Sequence, residues 1–153
     1  MYNLSYICLT LLCIVAHVSP EVITKEMTTA ELHKLEAKIL EECRVSFSIE
    51  KSELEIFFNP NETIPSSKRF QCMLDCFATG MGFVKNKKVD WEMVKLEQSI
   101  YHFDKNEQEK ALQNVENCRK SVQDVEISCE TSYQLGKCLQ EESRKTKSED
   151  LPQ

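Results

Sequence analysis

The chain has 153 residues, 41% of them hydrophobic and 29% charged, with three Gly and four Pro. That suffices for one packed domain, and it is too apolar and too poor in Gly and Pro for a collagen-like or wholly disordered chain. Its 19 Lys and Arg stand against 25 Asp and Glu, a formal charge of -6. This is the wrong sign for holding nucleic acid or an anionic bilayer, so neither is an expected partner.

Residues 1–20 contain no Asp, Glu, Lys or Arg, and Leu4 to Val18 (LSYICLTLLCIVAHV) is mostly apolar. The block is too short to span a bilayer and leads into a charged segment, so it reads as a secretory signal over 1–19, removed by cleavage between residues 16 and 19. A helical domain over 20–142 is expected to follow, and then a polar, solvated tail over 143–153 (SRKTKSEDLPQ). The mature chain is expected outside the cell.

Alternation with period two is almost absent, and helical spacing dominates. Leu32, Leu35, Ile39 and Cys43 recur every three or four positions within 28–47, and Thr28 with Glu31 has the form of a capping box. A second helix is predicted over Ser48 to Phe58, ended by Asn59 and Pro60. The stretch NPNETIPSS then reads as a loop, because Pro60 and Pro65 push the residues before them out of helical geometry. A third helix is predicted from Ser66 or Ser67 to about Thr79, with Phe70, Met73, Leu74 and Phe77 inward and Gly80 as the stop. Asp90 reads as the N-cap of a fourth, WEMVKLEQSIYHF, and a fifth starts near Lys105 with the stripe Leu112, Val115, Cys118, Val122. The sixth covers about Ile127 to Glu142.

Cys8 and Cys13 leave with the signal, and Cys43, Cys72, Cys76, Cys118, Cys129 and Cys138 remain. An even number in a small exported chain reads as three disulfides. Zinc is the competing use of the Cys72 and Cys76 pair, but His33 and His102 stand in no ligand-like spacing, so no metal or cofactor is expected. Cys72 and Cys76, four apart on one helix, leave one face with parallel bonds to Cβ and should not pair with each other. Cys129 and Cys138, nine apart, would leave a continuous helix from opposite faces and should not pair either. Ten of the 15 connectivities of six cysteines survive these two exclusions. The expected shape is an all-α, six-helix bundle stapled from outside, and such staples offset the cost of unfilled apolar space at the centre.

The gaps between these cysteines are 28, three, 41, ten and eight residues, and the last two lie in CETSYQLGKCL. This spacing resembles the six-cysteine insect odorant-binding proteins, also called pheromone- or general odorant-binding proteins, over essentially the whole chain up to Cys138. The resemblance implies six helices around a buried apolar ligand cavity, in an extracellular carrier of odorants, pheromones or tastants that has no catalytic role. It also implies pairing of Cys43 with Cys76, Cys72 with Cys129 and Cys118 with Cys138. The tail departs from part of the family: QEESRKTKSEDLPQ offers no apolar plug for a pocket, and with only His33 and His102 left to titrate near neutrality, a histidine-driven release switch is not expected.

The candidate ligand contacts are Phe57, Phe58, Phe70, Met73, Phe77, Met81, Trp91, Val94, Ile100, Phe103, Leu112, Val115 and Tyr133. Aromatic rings and flexible thioethers suit a permissive pocket. The same side chains serve an ordinary core equally well. Asn61-Glu62-Thr63 forms a glycosylation acceptor in a predicted exposed loop. Glu36, Lys38, Glu41, Glu42, Glu107, Glu109 and Lys110 read as solvated helix faces. No phosphate loop, nucleophile elbow or His-Glu-x-x-His motif occurs, nor the His-Asp pair and calcium loop of a secreted phospholipase. The expected partner is a small hydrophobic molecule, with a chemosensory receptor as a second partner and the chain a monomer or weak homodimer. A secreted signalling protein acting through the outer surface of the same scaffold is the alternative.

Overall fold

The computed structural model describes residues 23–59, 61–102, 104–127 and 129–149. The predicted signal with Cys8 and Cys13, the candidate contact Phe103 and the last four residues of the tail lie outside the described residues. Six helices follow in order: α1 (Thr29–Ser46), α2 (Lys51–Phe58), α3 (Lys68–Gly80), α4 (Trp91–Tyr101), α5 (Lys105–Ser121) and α6 (Glu130–Glu149). Between α3 and α4 lies an antiparallel hairpin of two residues a side, β1 (Val84–Lys85) and β2 (Lys88–Val89), with Val84 opposite Val89. Sequence alternation gives no sign of this hairpin. Its turn residues Asn86 and Lys87 have φ of 51° and 63°, and its strands are too short for a period to register.

Local chemistry starts most helices where the sequence places them. Thr28 and Glu31 close a capping box on α1, and the side chains of Ser67, Asp90 and Asp104 accept from the first-turn N–H groups of α3, α4 and α5. α2 begins three residues later than predicted. Ser48 has φ of 51°, which breaks the chain between α1 and α2, and the Arg44 guanidinium donates to the Ile49 carbonyl at 2.8 Å while Ile49 turns inward. Cys129, with φ of 67°, likewise sits before α6 rather than within it. α6 then continues to Glu149, so residues 143–149, predicted as tail, are helical. Polar contacts hold this extension: the Arg144 guanidinium donates to the Glu62 carbonyl, and the Thr146 hydroxyl to Asn114 Oδ1 at 3.0 Å.

The third helix ends at Gly80, as predicted, but Gly80 is itself helical and the left-handed position is Gly82, with φ of 78°. A Cβ built at Gly80 would lie 2.6 Å from Ile39 Cγ2, so glycine is there to let α3 approach α1. Gly80→Ala is expected to cost roughly 1 to 3 kcal/mol despite alanine's better helix propensity. Urea denaturation should show part of this loss recovered by Ile39→Leu, which removes the branch at Cβ, as a coupling term in a double-mutant cycle.

The bridges join Cys43 to Cys76, Cys72 to Cys129 and Cys118 to Cys138, with Cα separations of 5.8, 4.8 and 5.7 Å. This is the pairing that the family resemblance implies. It ties α1 to α3, α3 to the start of α6, and α5 to α6. Buried Ser132 adds a hydrogen bond from α6 to Asp75 on α3, and buried Thr131 accepts from the Val125 N–H at 3.1 Å and reaches the Lys87 carbonyl, pinning the hairpin to the 122–127 loop.

Candidate functional site

The apolar stripes of α1, α3, α4, α5 and α6 converge on two clusters. The first gathers Ile23, Leu32, Leu35, Met81, Phe83, Val94, Val115 and Leu135; the second gathers Ile49, Ile64, Phe70, Met73 and Leu74 beside the Cys43 bridge. They meet at Ile39 and Phe77, which pack against both. This contact zone is the heart of the bundle.

The predicted contacts divide between these clusters. Phe70 and Met73 are fully buried in the second, with Phe57 and Tyr133 at its margin; Met81, Val94 and Val115 belong to the first, with Trp91 and Ile100 at its edge. Leu112 is half-buried and in neither cluster. Phe58 is not brought inside: its ring is 61% exposed and meets Phe57 edge-on at 5.1 Å. Sequence reasoning did not single out Ile23, Phe83 or Leu135. Ile23 precedes the first helix and Phe83 precedes the hairpin, so neither lies on a periodic stripe.

Two open grooves flank Met27, which packs against the first cluster. One, of about 820 Å³, includes Leu35, Lys34, Lys38 and Glu31; the other, of about 610 Å³, includes Leu96, Ser99, Ile100 and Lys25. Both border α1 or α4 at the edge of the interior. Among the described residues no group of three or more His, Cys, Asp or Glu could hold a metal ion, and no helix is long and apolar enough to cross a membrane.

One polar feature intrudes on this apolar setting. Glu97 lies three residues after Val94 on the inward face of α4 and is only 9% exposed. It meets Glu36 of α1, and the Gln98 side-chain amide donates to its Oε2 at 2.5 Å. Burial pushes the Glu97 carboxyl up to about 8, partly offset by the Gln98 amide and reinforced by the negative charge of Glu36. Burial likewise raises Glu36 to about 7, against the hydrogen bond from Glu97. Glu36, predicted as solvated surface, is half-buried, its side chain 18% exposed. The signal lay in the stripes: Glu36 falls between Leu32 and Ile39, and Glu97 between Val94 and Ile100, both at helical spacing.

Comparison with known proteins places this geometry. Comparison with curated protein sequences finds no match. The crystal structure of odorant binding protein 4 from the natural predator Chrysopa pallens superposes with a TM-score of 0.63 at 23% identity, over 78% of this chain and 95% of that one, which is a likeness of fold. The model of the PBP/GOBP family, whose members are non-catalytic carriers, matches residues 25–142. With that match reaching from before α1 into α6 and the three bridges in the family's order, the chain belongs to the PBP/GOBP family.

Proposed function

We propose that the chain is an exported carrier for a small, neutral, hydrophobic molecule of the odorant, pheromone or tastant kind, held without covalent change. The observation that carries this reading is the family match over 25–142, seated on a six-helix frame that three bridges staple from outside. In this reading residues 1–19 are the export signal, 20–142 the carrier domain and 143–153 a polar extension that takes no part in closing the pocket. The ligand parts the two clusters where Ile39 and Phe77 join them, and its contacts come from Met73, Met81, Val94 and Val115. Burial supplies the driving force, about 25 cal/mol for each Å² of apolar surface removed from water, giving affinity on the order of micromolar. Asn61, exposed in the loop before α3, is the proposed site of an N-linked glycan away from the ligand.

Delipidated, oxidised protein titrated with a fluorescent phenylnaphthylamine should show saturable uptake that medium-chain alcohols, aldehydes or esters displace. No uptake would favour the second reading, a secreted protein acting through its surface. The observation on that side is the completeness of burial at Phe70, Met73 and Val115, all 0% exposed.

A further inference from the structure

Ahead of the Thr28 cap, residues 23–27 send two side chains inward. Thr24, Lys25 and Glu26 are exposed, whereas Ile23 is 3% exposed and Met27 is half-buried. The helix start accounts for Met27. It stands just before the cap, and Leu32, in the cluster that Met27 packs against, is the fourth residue of α1, so the two are placed as a hydrophobic staple. Nothing in the capping of α1 calls for Ile23, four residues further out. Its side chain nevertheless joins the first cluster, with Met81, Val94 and Val115, three of the four residues to which the carrier reading gives the ligand.

Little besides this burial holds the segment. Among the described residues, 23–27 make one hydrogen bond, and it is local: the Met27 N–H donates to the Thr24 carbonyl at 3.2 Å and closes the turn over Lys25 and Glu26. Open grooves lie on both sides, one against Lys34 and Leu35 of α1 and the other against Leu96 and Ile100 of α4, so the segment is not wedged between those helices. Burial of one isoleucine side chain is of the same order as the entropy lost in ordering the few residues that carry it. Ile23 is therefore held lightly. Ligand carbons of equal volume can take its place without breaking a hydrogen bond.

We propose that Ile23 is the end-stop of the ligand space: it occupies the part of the first cluster that the far end of a longer aliphatic ligand would take. It thereby sets the greatest chain length that the protein binds to advantage. The inference rests on the carrier reading and narrows it to a ligand class, straight-chain molecules of bounded length. Up to that bound, each added methylene is buried and raises affinity about fourfold. Past it, the next methylene enters only by turning Ile23 out, and the two burials offset each other. Affinity then stops rising with length.

Straight-chain primary alcohols of increasing length, displacing phenylnaphthylamine from oxidised, delipidated mature protein, test the end-stop. For the native protein, affinity should climb with length and then level off. Ile23→Ala shortens the side chain by three carbons, so its plateau should begin about two to three carbons later, each readmitted methylene adding roughly fourfold. Alcohols shorter than the native bound should bind both proteins alike. Ile23→Phe, with its larger side chain, should bring the plateau forward. Should Ile23→Ala fail to fold, Ile23→Val, one carbon smaller than the native residue, should move the plateau by about one carbon. A native series that never levels, or a plateau at one length in the native protein and every variant, overturns the end-stop. So does a change by one common factor at all lengths, which would mark Ile23 as plain core packing. Absence of phenylnaphthylamine uptake by the native protein would overturn the carrier reading and the end-stop with it, whereas uptake with an unmoved plateau overturns the end-stop alone.

Discussion

Replacing Cys72 and Cys129 together by alanine is expected to cost about 4 kcal/mol, a large part of the roughly 5 to 15 kcal/mol that holds a typical domain folded. The bridge closes the longest loop of the three, with a sequence separation of 57 against 33 for Cys43–Cys76 and 20 for Cys118–Cys138. Loop-closure entropy grows slowly with length, so removal of Cys118–Cys138 should cost about 3 kcal/mol and Cys43–Cys76 an intermediate amount. The longest bridge also holds Cys129 in left-handed backbone just before α6, a conformation that residues other than glycine seldom adopt alone. Without the bond to α3, that residue is freed to relax, and the first turn of α6 with it. In urea the midpoint should move by roughly 2 M for a slope near 2 kcal/mol per M. Equal losses for the long and short loops would show that strain and packing outweigh chain entropy here.

What the sequence discloses of this fold is what is decided locally. An N-cap needs only its own side chain and the next turn, and Thr28, Ser67 and Asp90 stand where sequence reading puts them. Gly80 shows the opposite case: glycine after an apolar run reads as a helix stop, whereas its reason here is Ile39, 41 positions away in the chain, and no local pattern contains it. The extension of α6 is missed for a similar reason. Residues 143–149 carry no apolar stripe, and the partners that hold them, Glu62 and Asn114, belong to other elements.

The disulfides and the interior were legible to different depths. Helix geometry excluded Cys72 with Cys76 soundly, because both lie on α3. The exclusion of Cys129 with Cys138 reached a true result by a false premise, since Cys129 lies outside α6. Family resemblance, not geometry, chose among the ten remaining pairings. Within the interior, residue type placed Phe58 and Phe70 in one class, and only the packing separates them. The Glu36 and Glu97 pair was hidden by the same habit of reading type before position. Acidic residues are usually solvated, and the stripe positions they occupy are the sole sequence sign that these two are not.

Phe70→Ala should therefore cost roughly 3 to 5 kcal/mol, and Phe58→Ala within about 0.5 kcal/mol of nothing. The Phe70 ring is 0% exposed, lies 6.2 Å from that of Phe57, and fills the second cluster among Ile49, Ile64, Met73 and Leu74. Truncation removes that contact area and leaves a void, which the surroundings are poorly placed to close. Cys43–Cys76 holds α3 against α1 on one side of it, and Ser67 caps the helix one turn earlier. The same rigidity that makes the loss large makes the void persist, so the Phe70→Ala protein should stay folded while oxidised and unfold at a lower urea concentration. Its void lies in the second cluster, against which Phe77 also packs. If the interior houses the ligand, the variant should take up phenylnaphthylamine with altered affinity, whereas Phe58→Ala should bind as the unaltered protein does. A loss of stability in Phe70→Ala with probe binding unchanged would place the ligand away from the second cluster, on the side of Met81, Val94 and Val115.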